Sequence, residues 1–319
     1  AGEARMARAR LAETGDAAIA TARADAEQAS RDDDRQRALW DVASLQEWMG
    51  RARDAAAQYR EIKAGAAAAA WRRRAADRLA AMVEERVAAD RSGPPVPSAS
   101  RWMETAEVAE TAEAWEAAAE YHVKLADLAA DPAAKLEHQV AAARCLQIAG
   151  KPERALELYR AAARSGAGGD RVGEIVRSAG MVLEGMRRYG EALRLYTELM
   201  PRDRPAWARL RVAFCRERTG DDADALGEYR ELIDRPDGQT LAPDALLGIS
   251  RILERRKEFE AARAPLQRIL DDYAASPRAP EAKVLLASLG PKAAEWEALR
   301  QELERMAAKY PRRERRTGE

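Results

Sequence analysis

Phenylalanine, histidine and cysteine are nearly missing from this chain of 319 residues, with two of each. Two cysteines make no disulfide framework, and neither they nor the two histidines fall in a zinc spacing such as His-Glu-x-x-His. With so little Phe, a compact two-layer core has little to build from. Alanine serves as the contact residue instead, which suits closely packed helices rather than sheet. Charge of one sign is also lacking. Lys plus Arg and Asp plus Glu stand at 54 each, so no basic excess points to nucleic acid or an anionic membrane surface. No run approaches the ~18 apolar residues of a membrane span. No positively charged start followed by an apolar core marks a signal peptide.

What the chain does have is self-similarity. The stretch Gly150-Lys-Pro-Glu-Arg-Ala-Leu-Glu-Leu-Tyr159 recurs at Gly50–Tyr59, Arg187–Tyr196 and Gly220–Tyr229. Looser copies stand at Lys257–Leu266, Glu113–His122 and Gly15–Ala24. All align on one alanine: Ala20, Ala55, Ala118, Ala155, Ala192, Ala225 and Ala262, with spacings of 33, 35 or 37 residues and one of 63. Positions not used to find the copies obey the same register. Twelve residues upstream stand the small Ala43, Ala106, Ala143, Gly180, Ala213 and Ser250. Ten upstream stand the apolar Leu45, Val108, Cys145, Val182, Cys215 and Ile252. Four downstream come Tyr59, His122, Tyr159, Tyr196, Tyr229 and Leu266, and seven downstream Ile62, Leu125, Ala162, Leu199, Leu232 and Ile269. The copy at Ala20 fails upstream, where Arg8 and Arg10 stand.

Two antiparallel helices with small residues at their closest approach account for this pattern. Gly15, Gly50, Gly150 and Gly220 are expected to end first helices in the left-handed conformation, and Pro152 to open a second helix. These features resemble the tetratricopeptide repeat, a helix–turn–helix of 34 residues, over 136–276 and more loosely over 36–64 and 99–130. The family's Trp near the start of the first helix is mostly missing. The resemblance implies an all-α, right-handed superhelical solenoid of antiparallel helix hairpins, with the first helix of each hairpin on the concave side.

Along the chain, 1–64 reads as N-terminal hairpins of this kind. Residues 66–90 read as one long helix with Trp71, Ala75, Leu79, Met82, Val83 and Val87 on one stripe. Pro94, Pro95 and Pro97 make 91–98 irregular. Segment 65–98 thus interrupts the array and marks an expected boundary. Residues 99–276 read as the main array and 277–310 as a capping helix pair, its last helix amphipathic through Trp296, Leu299, Leu303 and Met306. Residues 311–319 read as a basic disordered tail. Charge is uneven: 103–137 carries nine Asp or Glu against two Lys, read as solvated helix faces.

Little in the sequence points to chemistry. The glycines of 165–173 have no preceding strand and no following Gly-Lys-Ser/Thr, which argues against a phosphate loop. His122 fills the tyrosine slot and reads as a helix contact, with no third metal ligand recurring nearby. His138 reads as solvated. Cys145 and Cys215 share one apolar slot and read as small core residues. Glu104, Glu107, Glu110 and Glu113 read as a solvated face rather than a catalytic pair. No catalytic, cofactor or metal site is expected, and the chain reads as a non-enzymatic scaffold. By the resemblance, the concave face would carry Trp40, Arg144, Arg177, Met181, Trp207, Leu210, Phe214 and Arg251. Aromatic and Arg residues in a groove suit a peptide or protein segment bearing acidic groups. The second reading is a self-associating structural component of the bacterial envelope. Tyr273-Ala-Ala-Ser-Pro277 with Glu281-Ala282 resembles junctions of envelope proteins with these repeats, of the Tol–Pal-associated and outer-membrane-assembly kind. That resemblance implies a periplasmic or cell-envelope location, the cytoplasm being the alternative. Neither nucleic acid nor direct membrane insertion is expected.

Overall fold

The computed structural model describes residues 2–92, 98–166, 169–200 and 204–309. The prolines at 94, 95 and 97 and the basic tail at 311–319 lie outside them. Fifteen α-helices account for nearly all of the described residues, which include no strand. The first eight are α1 (Gly2–Gln28), α2 (Asp32–Trp48), α3 (Ala52–Gly65), α4 (Ala69–Ser92), α5 (Ala99–Thr111), α6 (Trp115–Leu128), α7 (Pro132–Ile148) and α8 (Pro152–Arg164). Then follow α9 (Val172–Gly185), α10 (Tyr189–Leu199), α11 (Ala206–Thr219), α12 (Asp222–Asp234), α13 (Ala242–Arg255), α14 (Phe259–Asp272) and α15 (Ala279–Lys309). No described helix is long and apolar enough to cross a membrane.

The chain divides into two compact units, 1–175 and 176–319, the division falling inside α9. In the first, each helix from α1 to α8 packs on the next, and α5 packs on both α3 and α4. Residues on either side of the proline segment therefore share one unit. In the second, α10 to α15 pack in sequence and α11 also meets α13. Packing of each helix on its neighbours in sequence is compatible with a helical repeat fold.

The alanine register is the contact surface. Ala55, Ala118, Ala155, Ala192, Ala225 and Ala262 are all fully buried, and so are Ala43, Ala106, Ala143 and Ala213 twelve residues earlier. With no bulk at these positions the helix backbones come close, and the large residue one turn on fills the space beside them. At Gly180 and Gly248 even a methyl is excluded. A Cβ there would overlap the rings of Tyr196 and Tyr229.

Helix ends follow one rule, five residues before each of the six register alanines from Ala55 to Ala262. Gly50, Gly150 and Gly220 have φ of +75°, +71° and +88°. In the other three pairs Glu113, Arg187 and Lys257 hold the same left-handed conformation, with φ of 61°, 60° and 66°. The same pair of capping bonds forms with or without glycine: Gly50 N–H to the Glu47 carbonyl (2.9 Å) and Arg51 N–H to Gln46 (2.8 Å), against Arg187 N–H to Glu184 (2.9 Å) and Arg188 N–H to Leu183 (2.8 Å). A left-handed conformation at a residue with a Cβ costs ~1 kcal/mol or more. Arg187→Gly, at an exposed position, is therefore expected to stabilise the chain by about 0.5–1 kcal/mol. Urea unfolding followed by circular dichroism measures it, and an unchanged or lower midpoint would contradict the argument.

Two helix boundaries differ from the sequence expectation. Gly15 does not stop a helix but lies in the middle of the single helix α1. It is buried where α1 packs on α2, and a Cβ there would sit 2.5 Å from the Met49 Sδ. The register fails here because Ala20 is exposed. The expected pair of C-terminal helices is one helix, α15, running through Gly290 and Pro291. A reversal needs a left-handed residue, and Gly290 does not adopt that conformation. Pro291 only forgoes its own hydrogen bond to the preceding turn.

Candidate functional site

The tyrosines four residues past the register alanines are tied by their hydroxyls. Eight residues before each alanine stands Glu47, Glu110, Gln147, Glu184, Glu217 or Glu254. Tyr59 donates to Glu47 (3.3 Å), Tyr159 to Gln147 (3.3 Å), Tyr196 to Glu184 (2.9 Å) and Tyr229 to Glu217 (2.7 Å). A cation from a later helix completes several of these sites. Arg78 pairs with Glu47, Arg211 with Glu184, Arg251 with Glu217 and Lys292 with Glu254. The two buried carboxylates, Glu184 and Glu217, are thus hydrogen-bonded and charge-paired, as burial demands. Burial, then the Glu217 charge, pushes the Tyr229 hydroxyl well above its ordinary range. Burial pushes the Cys215 thiol up to about 12.

In the first unit the same junction carries different chemistry. His122 replaces the tyrosine, and its Nε2 lies 3.0 Å from the Glu110 Oε1. The Cys145 thiol, from α7, donates to the same oxygen at 3.5 Å. Donor atoms of Glu110, His122 and Cys145 all lie within 4.8 Å of one another. His138, also on α7, places its Nδ1 3.3 Å from the His122 Nδ1, and the two rings stack with centroids 5.5 Å apart. Two sequence expectations are corrected here. His138 is half-buried rather than solvated, because the stacked His122 ring covers it. Further ligand-type groups do stand beside His122, because α5, α6 and α7 converge there. Their separation in sequence hid them, and the informative signal was the histidine in a tyrosine slot. Burial, followed by the His122 charge, lowers the His138 pKa below the ordinary imidazole value. Burial and the Glu110 charge push the Cys145 thiol up to about 12.

The residues placed on the concave face by resemblance fall into three settings. Trp40, on α2, packs against Tyr59 (centroids 4.8 Å) with the Arg74 guanidinium 4.1 Å from its ring. Arg144 is exposed on α7. The other six belong to the second unit. Arg177 and Met181 lie one turn apart on α9, both exposed, with the Arg177 guanidinium 4.6 Å from the Trp207 ring on α11. Leu210, Phe214 and Arg251 line a cleft of 170 Å³ between α11 and α13, with Arg211, Asp244, Leu247, Arg278 and Glu281.

No family model matches the chain, and no curated protein matches it significantly.

The cations of the cleft are already engaged. Arg251 donates to Glu217 at 2.9 and 3.1 Å, Arg211 to Glu184 at 2.9 Å, and Arg278 to Asp244 at 2.8 Å. Phe214 stands edge-on to Tyr189 (5.9 Å), and Trp207 edge-on to Tyr196 (6.3 Å). Arg177 is different. It has no carboxylate partner among the described residues. Beside it Met181 is 53% exposed.

Proposed function

We propose that the chain is a non-enzymatic interaction scaffold, a solenoid of tetratricopeptide-like antiparallel hairpins that holds a protein segment on the face formed by α9 and α11. The observation that carries this reading is the Arg177–Met181–Trp207 patch. The neighbouring side chains are consumed by packing or ion pairs, while this patch offers a cation with no carboxylate partner among the described residues, a flexible exposed apolar side chain, and a half-buried indole under the cation. Aromatic and Arg side chains dominate binding energy at interfaces, and Met adapts to irregular partners. An unpaired Arg favours an acidic segment.

The test uses a displayed peptide library selected on the intact chain. Enrichment of acidic peptides carrying an apolar anchor is expected. Binding should fall at least tenfold in the Arg177→Glu/Met181→Glu variant, while helicity is kept because both positions are exposed. Selection without enrichment, or peptides that bind the variant equally, would sink the assignment.

One observation favours self-association as a second reading. Beyond Trp296, α15 leaves Leu299, Leu303 and Met306 about half exposed at helical spacing. A second copy of this helix would cover such a stripe. Light scattering separates the two: self-association predicts a mass that rises with concentration and drops to the monomer in Leu299→Glu/Leu303→Glu. The residues Tyr273–Pro277 are what support a setting in the bacterial envelope.

A further inference from the structure

The junction between α5, α6 and α7 differs from its counterpart in the second unit in the ring that meets the carboxylate, in a second histidine where Ala208 stands, and in having Ala141 where Arg211 pairs with Glu184. There Glu184 accepts from Tyr196 (2.9 Å) and from the Cys215 thiol (3.9 Å). In the first unit Glu110 meets the Cys145 thiol, and an imidazole stands in place of the phenol. A phenol, a carboxylate and a thiol make a hydrogen-bonded packing contact. An imidazole, a carboxylate and a thiol make the donor set of a zinc site.

We infer that Glu110, His122 and Cys145 bind a zinc ion, with His138 orienting the His122 ring. Zinc bonds of ~2.0–2.3 Å in tetrahedral geometry put neighbouring donor atoms about 3.3–3.7 Å apart. The Glu110 oxygen stands 3.5 Å from the Cys145 sulfur and 3.0 Å from the His122 Nε2, and all the donor atoms lie within 4.8 Å of one another, so side-chain shifts of about 1 Å close the set. On binding, the Cys145 thiol proton would leave to solvent, and the His122 proton that faces Glu110 would be exchanged from Nε2 to Nδ1. His138 lies at the opposite nitrogen of the His122 ring. It can accept the Nδ1 proton there, which leaves the Nε2 lone pair for the metal. Partners of this kind fix the tautomer of metal-ligating histidines. His122 and Cys145 are buried, while the Glu110 side chain is 40% exposed and gives the ion a way in and a coordination position open to water.

The experiment titrates the full chain, first stripped with a chelator, with zinc by calorimetry and with cobalt(II) as a spectroscopic probe. One tight site per chain is expected, with a sulfur-to-cobalt charge-transfer band and tetrahedral visible absorption. Two variants keep the fold by borrowing from the chain's own register. His122→Tyr restores the residue found in Tyr159 and Tyr196, and Cys145→Val restores that found at Val182. Both should weaken binding at least 100-fold, and Cys145→Val should also abolish the charge-transfer band. His138→Ala should weaken it by about 10–100-fold. Absence of the band, or His122→Tyr binding zinc as tightly as the parent, would overturn the inference. The second outcome would assign the ion to surface carboxylates. Neither result bears on the Arg177–Met181 face, which belongs to the other unit.

Discussion

Arg251→Ala is expected to destabilise the chain by about 3 kcal/mol. The repeat resemblance implied a place for this side chain on the concave face, yet its guanidinium is held by Glu217 through two hydrogen bonds. The Glu217 side chain is only 2% exposed. Removing the arginine would leave a buried carboxylate with Tyr229 as its remaining side-chain donor. Breaking a buried pair from one side costs ~3–5 kcal/mol, and the lower end applies because the Arg251 side chain is itself 37% exposed. The chain supplies its own rescue. Gln147 already accepts the Tyr159 hydroxyl with a neutral amide in the equivalent place. Glu217→Gln on the Arg251→Ala background should therefore recover most of the loss. Arg255→Ala, which breaks a more exposed pair with Asp222, should cost under ~1 kcal/mol. Urea unfolding of the four proteins gives the answer. A loss below 1 kcal/mol for Arg251→Ala, or no recovery with glutamine, would refute the buried-pair account. The result also governs how binding experiments are interpreted, since an Arg251 variant that loses a partner would report lost folding.

The repeat was legible because size and polarity at a fixed period survive in a single sequence. The six register alanines from Ala55 to Ala262 are all fully buried, and Gly50, Gly150 and Gly220 all turn the chain in the left-handed conformation. What stayed hidden has physical causes. Glu113, Arg187 and Lys257 adopt the same conformation at an energetic cost, so no glycine marks those turns. The acids at Glu184 and Glu217 could not be told from solvated ones, because charged residues make up 34% of the chain. Only their position eight residues before the alanine distinguishes them. Gly15 misled because glycine serves close packing as well as chain reversal. Arg177, one turn from Met181 on α9, lies over the Trp207 ring, and Leu210, Phe214 and Arg251 share a cleft. The engagement of Arg251 and Arg211 depends on partners 34 and 27 residues earlier that no local pattern reveals.

One substitution, glycine to alanine, should move stability in opposite directions at two sites eleven residues apart. Gly227 lies inside α12, exposed, and a Cβ added there meets nothing within 4 Å. Alanine then removes the conformational freedom of glycine from the unfolded chain and gains helix propensity, worth about 0.5–1 kcal/mol of added stability. Gly238 is buried in the short turn of 3-10 helix after α12. A Cβ there would stand 1.9 Å from the Leu232 carbonyl oxygen, a backbone atom of a fully buried residue. No side-chain rotation relieves that overlap, so the turn itself must move. The turn also holds Asp237, whose carboxylate accepts the Ala206 N–H at the start of α11 (3.3 Å), and Gln239, whose amide donates to the Ile233 carbonyl (3.0 Å). Overpacking costs typically ~1–3 kcal/mol, and Gly238→Ala should reach or exceed the upper end because these bonds shift with the backbone. Thermal unfolding of the two single variants and the double decides it. A Cβ at Gly227 meets nothing and one at Gly238 meets Leu232, so the two substitutions share no partner and their effects should add. A Gly238→Ala protein as stable as its parent would mean that the turn yields without resistance, and the bonds from Asp237 and Gln239 would then carry no measurable stability.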